Sequence, residues 1–151
     1  MKLKRGDLIQ AALLGEVDVL AHGANCLHTM GAGVARLIKE RFPAAYQADL
    51  CTVRGDRSKL GTVSLAEVIN LRGDTLTIVN AYTQFGITGP LPRVDYGAIT
   101  KCFTIIRERF GSKRIGIPMI GAGLGGGDWG QVVKAIELAG QFDDLTVYRL
   151  G

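Results

Sequence analysis

The residues best placed to do chemistry lie in or beside two glycine-rich turns. The first is Asn25-Cys26-Leu27-His28-Thr29-Met30-Gly31-Ala32-Gly33-Val34-Ala35 and the second is Pro118-Met119-Ile120-Gly121-Ala122-Gly123-Leu124-Gly125-Gly126-Gly127-Asp128-Trp129. Each follows an apolar, strand-like run and leads into a helical pattern. This is how a fold presents backbone N–H groups and a helix N-terminus to a phosphate. Two such cradles in a chain of 151 residues suggest a diphosphate held between them, and hence a nucleotide-like ligand. The competing reading is that the glycines only form tight strand-to-helix turns. Five glycines within Gly121–Gly127 exceed what a turn requires.

His22, His28, Gln84 and Asp128 are the candidate reactive side chains on or near these turns. A mid-loop histidine such as His28 could protonate a leaving group, or could simply be a solvated loop residue. Asp128 could transfer a proton or cap the helix that follows it. His22 ends an apolar strand and is expected to be structural. Cys26 is a conceivable nucleophile, but no evident base activates it.

The elements that must position these groups alternate along the chain. Strand-like runs fall at Leu3–Arg5, Val17–His22, Gly61–Val68, Leu76–Thr83, Arg114–Met119 and Leu145–Leu150. Helical patterns fall at Gly33–Phe42, Pro43–Thr52, Asp95–Phe110 and Trp129–Phe142. Asp95 reads as an N-cap and Gly111 as a stop. The runs flanking Arg72-Gly73-Asp74 read as a hairpin. The expected fold is therefore a three-layer α/β/α sandwich with a central mixed, mostly parallel sheet. In such sheets ligands bind beyond the carboxyl ends of the strands, where both turns fall.

Composition narrows the class. A hydrophobic fraction of 47% in 151 residues fits a single domain over residues 1–151 with a sizeable core. Cys26, Cys51 and Cys102 are odd in number and form no metal or disulfide spacing. Together with the lack of an apolar signal core at the start, this fits a cytoplasmic protein with no membrane partner. The net charge of +4 is spread along the chain without a dense basic tract, which argues against general nucleic-acid binding. A modest positive field helps to capture an anionic ligand. No metal and no cofactor are expected.

Neither turn is a dinucleotide fingerprint or a Walker A loop. The combination instead resembles a macrodomain, the ADP-ribose-binding α/β/α module, over nearly the whole chain. Gly6-Asp7-Leu8, the run from Asn25 to Ala35, Gly121–Gly126 and Thr146-Val147-Tyr148 carry the resemblance. Met30–Gly33, Tyr82-Thr83-Gln84 and Gly123–Trp129 resemble the branch containing yeast-type ADP-ribose 1''-phosphate phosphatases, terminal ADP-ribose glycohydrolases and DNA-targeting antitoxin macrodomains.

The resemblance implies specific roles. Asp7 would accept a hydrogen bond from the adenine amine, with Leu8 beside it, and Tyr148 would offer a stacking ring. Asp7 could equally cap a short helical turn, and Tyr148 could be an ordinary core residue. Asn25 would bond the distal ribose, or stabilise its turn. Gly31, Ala32, Gly33 and Val34, with Ala122, Gly123, Gly125 and Gly126, would surround the phosphates and distal ribose. Met30 and Leu124 would cover the ligand.

One departure matters. Lysine-dependent members of this branch use a strand-end Lys that attacks the ribose anomeric carbon, and Gln84 aligns with it. An amide cannot supply that nucleophile. Two readings remain. One is an enzyme that hydrolyses a 1''-linked phosphate or ester, with Asn25 and Gln84 positioning groups and His28 or Asp128 moving the proton. The other is a module that only holds ADP-ribose or an ADP-ribosylated macromolecule. A monomer is expected.

Overall fold

Ten residues, Thr75–Gln84, form a strand that is buried along almost its whole length. Such a strand must be covered on both faces and flanked on both edges, and the rest of the chain does this. The computed structural model describes residues 1–150. The elements in order are β1 (Lys2–Arg5), α1 (Leu8–Leu13), β2 (Val19–Asn25), α2 (Gly33–Arg41), α3 (Pro43–Leu50), a 3₁₀ turn (Arg57–Lys59), β3 (Val63–Ile69), β4 (Thr75–Gln84), α4 (Tyr96–Phe110), β5 (Arg114–Ile117), α5 (Trp129–Leu138) and β6 (Asp144–Arg149).

The sheet order is β1-β6-β5-β2-β4-β3. Every pairing is parallel except β3 with β4, so the sheet is mixed and mostly parallel, as expected. The hairpin pairs Ile69 with Thr75. Its turn is fixed by Asn70 Oδ1, which accepts from Arg72 N at 2.9 Å and Asp74 N at 3.0 Å.

Alternation along each strand divides the side chains between two cores. Val19, Ala21, Val79, Ile115, Ile117, Leu145 and Val147 share a core with Ile99, Phe103 and Ile106 of α4 and Val132 and Ile136 of α5. Leu20, Leu76, Ile78 and Tyr148 share the other with residues of α1, α2 and α3. Fully burying a side chain such as Ile106 or Phe103 contributes roughly 1.5–3 kcal/mol.

Differences from the expected boundaries have local causes. β5 stops at Ile117 because Pro118 has no N–H for the ladder. The last helix ends at Leu138 rather than Phe142, because Gly140 takes φ +114. Asp7 caps six residues of true helix, α1, instead of a single turn. β2 runs on to Asn25 rather than ending at His22, which carries Asn25 to the edge of the sheet. Asp95 caps α4 by accepting from Ala98 N at 2.9 Å, as expected. Among the described residues, no helix is long and apolar enough to cross a membrane.

Candidate functional site

The carboxyl ends of β2, β4 and β5 open into a cavity of about 600 Å³, within the roughly 300–1,000 Å³ typical of small-molecule sites. Both glycine turns border it. On one side are Gly31 to Ala35, on the other Gly121 and Gly123 to Gly125, and between them His22 to Asn25, Thr83 and Gln84.

The first wall is the start of α2. Its N-cap is Ala32, which makes no side-chain cap bond. The first-turn N–H groups, orphaned in any helix, are left for a ligand or water. Asn25 sets the loop that leads there. Its Oδ1 accepts from Leu27 N at 2.9 Å and more weakly from Thr29 N at 3.4 Å, and its Nδ2 donates to Thr29 O at 2.8 Å. One Nδ2 hydrogen has no partner in this arrangement, so Asn25 can brace the loop and still donate into the cavity.

The second wall is the loop after β5, held against residues 85–94. Gly125 O accepts from Arg93 N at 2.7 Å, and Leu124 O accepts from Arg93 Nη1 at 3.0 Å. Gln84 is fixed between the walls. Its Nε2 donates to Gly86 O at 2.8 Å, which turns Oε1 toward Gly125, where an added Cβ would lie 3.1 Å from that oxygen. Gln84 therefore offers an oriented acceptor.

His22 lies in the floor and is 1% exposed. Asn80 Nδ2 donates to Ala45 O at 2.8 Å and Ser64 Oγ at 3.0 Å, so Asn80 Oδ1 is the acceptor and His22 Nε2 the donor in their 2.6 Å bond. The chain continues in one direction. Ser64 Oγ donates to Tyr82 OH at 2.9 Å, and Tyr82 OH donates to the buried Asp49 Oδ1 at 2.7 Å. His22 Nδ1 is then a lone-pair acceptor with no partner among the described residues. Burial lowers the His22 pKa, against the opposing pull of the Asn80 bond and the Asp49 charge, so the ring is neutral.

The structure brings together Asn25, Gly31, Ala32, Gly33, Val34, Gln84, Gly123, Leu124 and Gly125. The other candidates do not border the cavity. His28 is half-buried off the lining, with φ +59, and its Nε2 is 2.8 Å from Thr52 O. Met30 is buried in the core beneath α1, α2 and α3. Asp128 caps α5, accepting from Gly130 N at 2.9 Å. Ala122 lies off the lining, and Gly126 faces Leu91. Asp7, Leu8 and Tyr148 sit around α1 and the β1–β6 edge. Asp7 Oδ1 accepts from Ile9 N at 2.9 Å and Gln10 N at 3.2 Å, while Leu8 and Tyr148 share a core. Cys26 is fully buried and its thiol pKa is raised by that burial, so it stays protonated at neutral pH.

Arg93 was not among the sequence candidates, yet it lines the cavity. A signal existed, because Arg93 is the sole charged residue between Asp74 and Asp95.

Residues 21–136 match the Macro domain family model. The chain belongs to the macrodomain family. One relative of this macrodomain, described as an uncharacterized 17.5 kDa protein in the tk-vs intergenic region of Enterobacteria phage T4, is 40% identical over 135 residues, covering 85% of this chain and 83% of that one. The DNA ADP-ribosyl glycohydrolase of Mycobacterium tuberculosis is 28% identical over 138 residues. That match covers 90% of this chain, which spans only 37% of the glycohydrolase. Among solved structures, the macrodomain of Thermus aquaticus DarG superposes with a TM-score of 0.73 at 26% identity, over 98% of this chain and 97% of that one. Thermosipho africanus DarTG in complex with ADP-ribose shares the fold, with a TM-score of 0.75 at 18% identity, over 100% of this chain and 42% of that one.

Proposed function

We propose that this macrodomain binds ADP-ribose and hydrolyses a phosphate or ester linked at the 1'' position of its distal ribose. One observation carries the reading: the uncapped start of α2 and the Gly123–Gly125 loop face each other across a cavity that ends at Asn25 and Gln84. Two facing sets of backbone donors suit a diphosphate, and two oriented amides beside them suit a ribose. Asp7 and Tyr148 are proposed to meet the adenine at the β1–β6 side, which places the distal ribose at the Asn25–Gln84 end.

Water attacks the phosphorus of the 1''-phosphate, the bond from phosphorus to the ribose oxygen breaks, and ADP-ribose and inorganic phosphate leave. Gln84 Oε1 accepts a hydrogen bond from that water and orients it. Asn25 Nδ2 donates to the ribose. Orientation of this kind can supply several kcal/mol of the barrier. Proton transfer passes through solvent in this arrangement, because His28 and Asp128 are held by other partners. Slow turnover is the consequence.

A second reading, release of ADP-ribose from a modified macromolecule, is supported by the 28% identity with the DNA ADP-ribosyl glycohydrolase. Gln84 opposes it, because an amide at that position is no nucleophile. The test is calorimetric titration with ADP-ribose, followed by phosphate release from ADP-ribose 1''-phosphate and ADP-ribose release from a modified oligonucleotide. Binding with phosphate release supports the first reading. Binding without either product leaves a non-catalytic ADP-ribose holder, and ADP-ribose release from the oligonucleotide without phosphate release supports the second reading.

A further inference from the structure

Among the described residues, Arg93 is the sole formally charged side chain lining the cavity, and no carboxylate borders it. None of the three ion pairs among the described residues includes it. Its nearest acid in sequence, Asp95, uses Oδ1 to cap α4. The guanidinium is half used: Nη1 donates to Leu124 O at 3.0 Å, while Nε is buried with no acceptor. A buried, unsatisfied donor on a charged group is costly. A planar fork of N–H groups with no protein carboxylate in reach matches the paired oxygens of a phosphate.

Register places the residue that carries the fork. Asn25 pairs with Gln84 across β2 and β4, and Gln84 forms an isolated bridge with Val94. Arg93 is therefore one residue from the partner of Gln84, on the far side of Gln84 from Asn25. Its backbone is tied to the glycine loop through Gly125 O, so the guanidinium is carried on a fixed support. The Arg93 backbone stands on the side of β4 away from β1 and β6, and its guanidinium meets the glycine loop at Leu124 O.

We infer that Arg93 is a specificity-determining residue that binds a phosphoryl group attached to the distal ribose. This rests on the ligand orientation proposed above. In this arrangement the glycine walls hold the diphosphate, and Arg93 Nη2, with the Nη1 hydrogen that Leu124 O does not take, holds the 1''-phosphate. The site then prefers ADP-ribose derivatives carrying an anion at that end over ADP-ribose itself. Arg93 also offsets the charge that builds on the phosphoryl oxygens as water attacks.

The test is titration of the wild type, Arg93→Gln and Arg93→Lys with ADP-ribose and with ADP-ribose 1''-phosphate, under conditions where turnover is negligible. The wild type is expected to bind the phosphorylated ligand about tenfold or more tightly than ADP-ribose, as one charge-assisted fork allows. Arg93→Gln should lose that preference, so that the two ligands bind with similar affinity, and circular dichroism checks that the variant is folded. Arg93→Lys should recover only part of it, because a point charge cannot replace the fork. Equal loss for both ligands would place Arg93 on the diphosphate and overturn the inference, as would an unchanged preference in Arg93→Gln. Failure of the wild type to bind either ligand would instead overturn the proposed function.

Discussion

Gly123→Ala separates a glycine kept for a ligand from a glycine kept for the fold. A Cβ built on Gly123 meets nothing within 4 Å, and its φ is not in the left-handed region. Folding therefore gives no reason for glycine at this position. Replacing it should stabilise the protein by about 0.4–1 kcal/mol, by reducing the freedom of the unfolded chain. For a chain of this size that is a rise in Tm of about 1–4 °C. Ligand binding should respond in the opposite sense. A phosphate oxygen held by this loop at ~2.9 Å from a backbone nitrogen leaves little room for a methyl group beside it. Displacing one charge-assisted hydrogen bond costs about 1.5–3 kcal/mol, roughly tenfold or more in Kd. Gly126 is the contrast. It has φ +66, and its Cβ would lie 2.6 Å from Leu91 Cδ2, so Gly126→Ala should lower Tm whether or not a ligand binds. The assays are thermal unfolding monitored by circular dichroism and calorimetric titration with ADP-ribose. Gly123→Ala that binds ADP-ribose as tightly as the wild type would refute the phosphate-loop assignment. Gly123→Ala that unfolds at lower temperature would refute the claim that the fold does not need this glycine.

Asn25→Ala should cost about 1–3 kcal/mol in urea unfolding, because three loop-bracing side-chain hydrogen bonds disappear, and should also weaken ADP-ribose binding. Asp7→Ala should cost about 1 kcal/mol through loss of the α1 cap and a further tenfold or so in ADP-ribose affinity; a stability loss with unchanged affinity would reduce Asp7 to a cap. Gln84→Ala should lower the rate of phosphate release while leaving ADP-ribose Kd within about threefold, since a group that orients water acts on the rate more than on binding. His22 gives a pH signature. Its folded pKa lies below the ordinary value of 6.5, so the unfolded chain takes up the proton first. The stabilising contribution is complete above about pH 6.5 and is lost as pH falls toward the folded pKa, with a slope of up to about 1.4 kcal/mol per pH unit. His22→Gln should flatten the stability profile in that window, and an unchanged slope would show that folding does not lower the His22 pKa.

The fold was legible because β2, β4 and β5 carry mostly apolar runs of strand length, β6 alternates polar and apolar residues, and α4 carries both its stripe and its caps, all local properties of the chain. The 3.6-residue pattern of α1 was missed because six residues are too few to show periodicity. The walls of the site were legible for the same local reason, since glycine density marks a turn wherever it folds. Side-chain commitments were not legible. Nothing near His28 in sequence announces Thr52, 24 residues away, as its partner. The glycines of the second loop also looked alike, yet Gly125, Gly126 and Gly127 lie against Gln84, Leu91 and Val94 while Gly123 is open. That difference comes from how residues 85–94 fold back, which is tertiary. Arg93 escaped notice for a similar reason. Its importance arises from the register that puts Val94 beside Gln84 and from the absence of acids around the cavity, and neither is written in the residues next to it.

The central claim is where the ligand lies, and a crystal structure of this macrodomain with ADP-ribose bound tests it most directly. The account predicts the diphosphate between the start of α2 and the Gly123–Gly125 loop, the distal ribose against Asn25 and Gln84, and the adenine toward Asp7. ADP-ribose seated elsewhere, such as wholly within the second cavity bordered by Lys2, Glu16, Arg114 and Asp144, or reversed so that adenine meets Gln84, would contradict it.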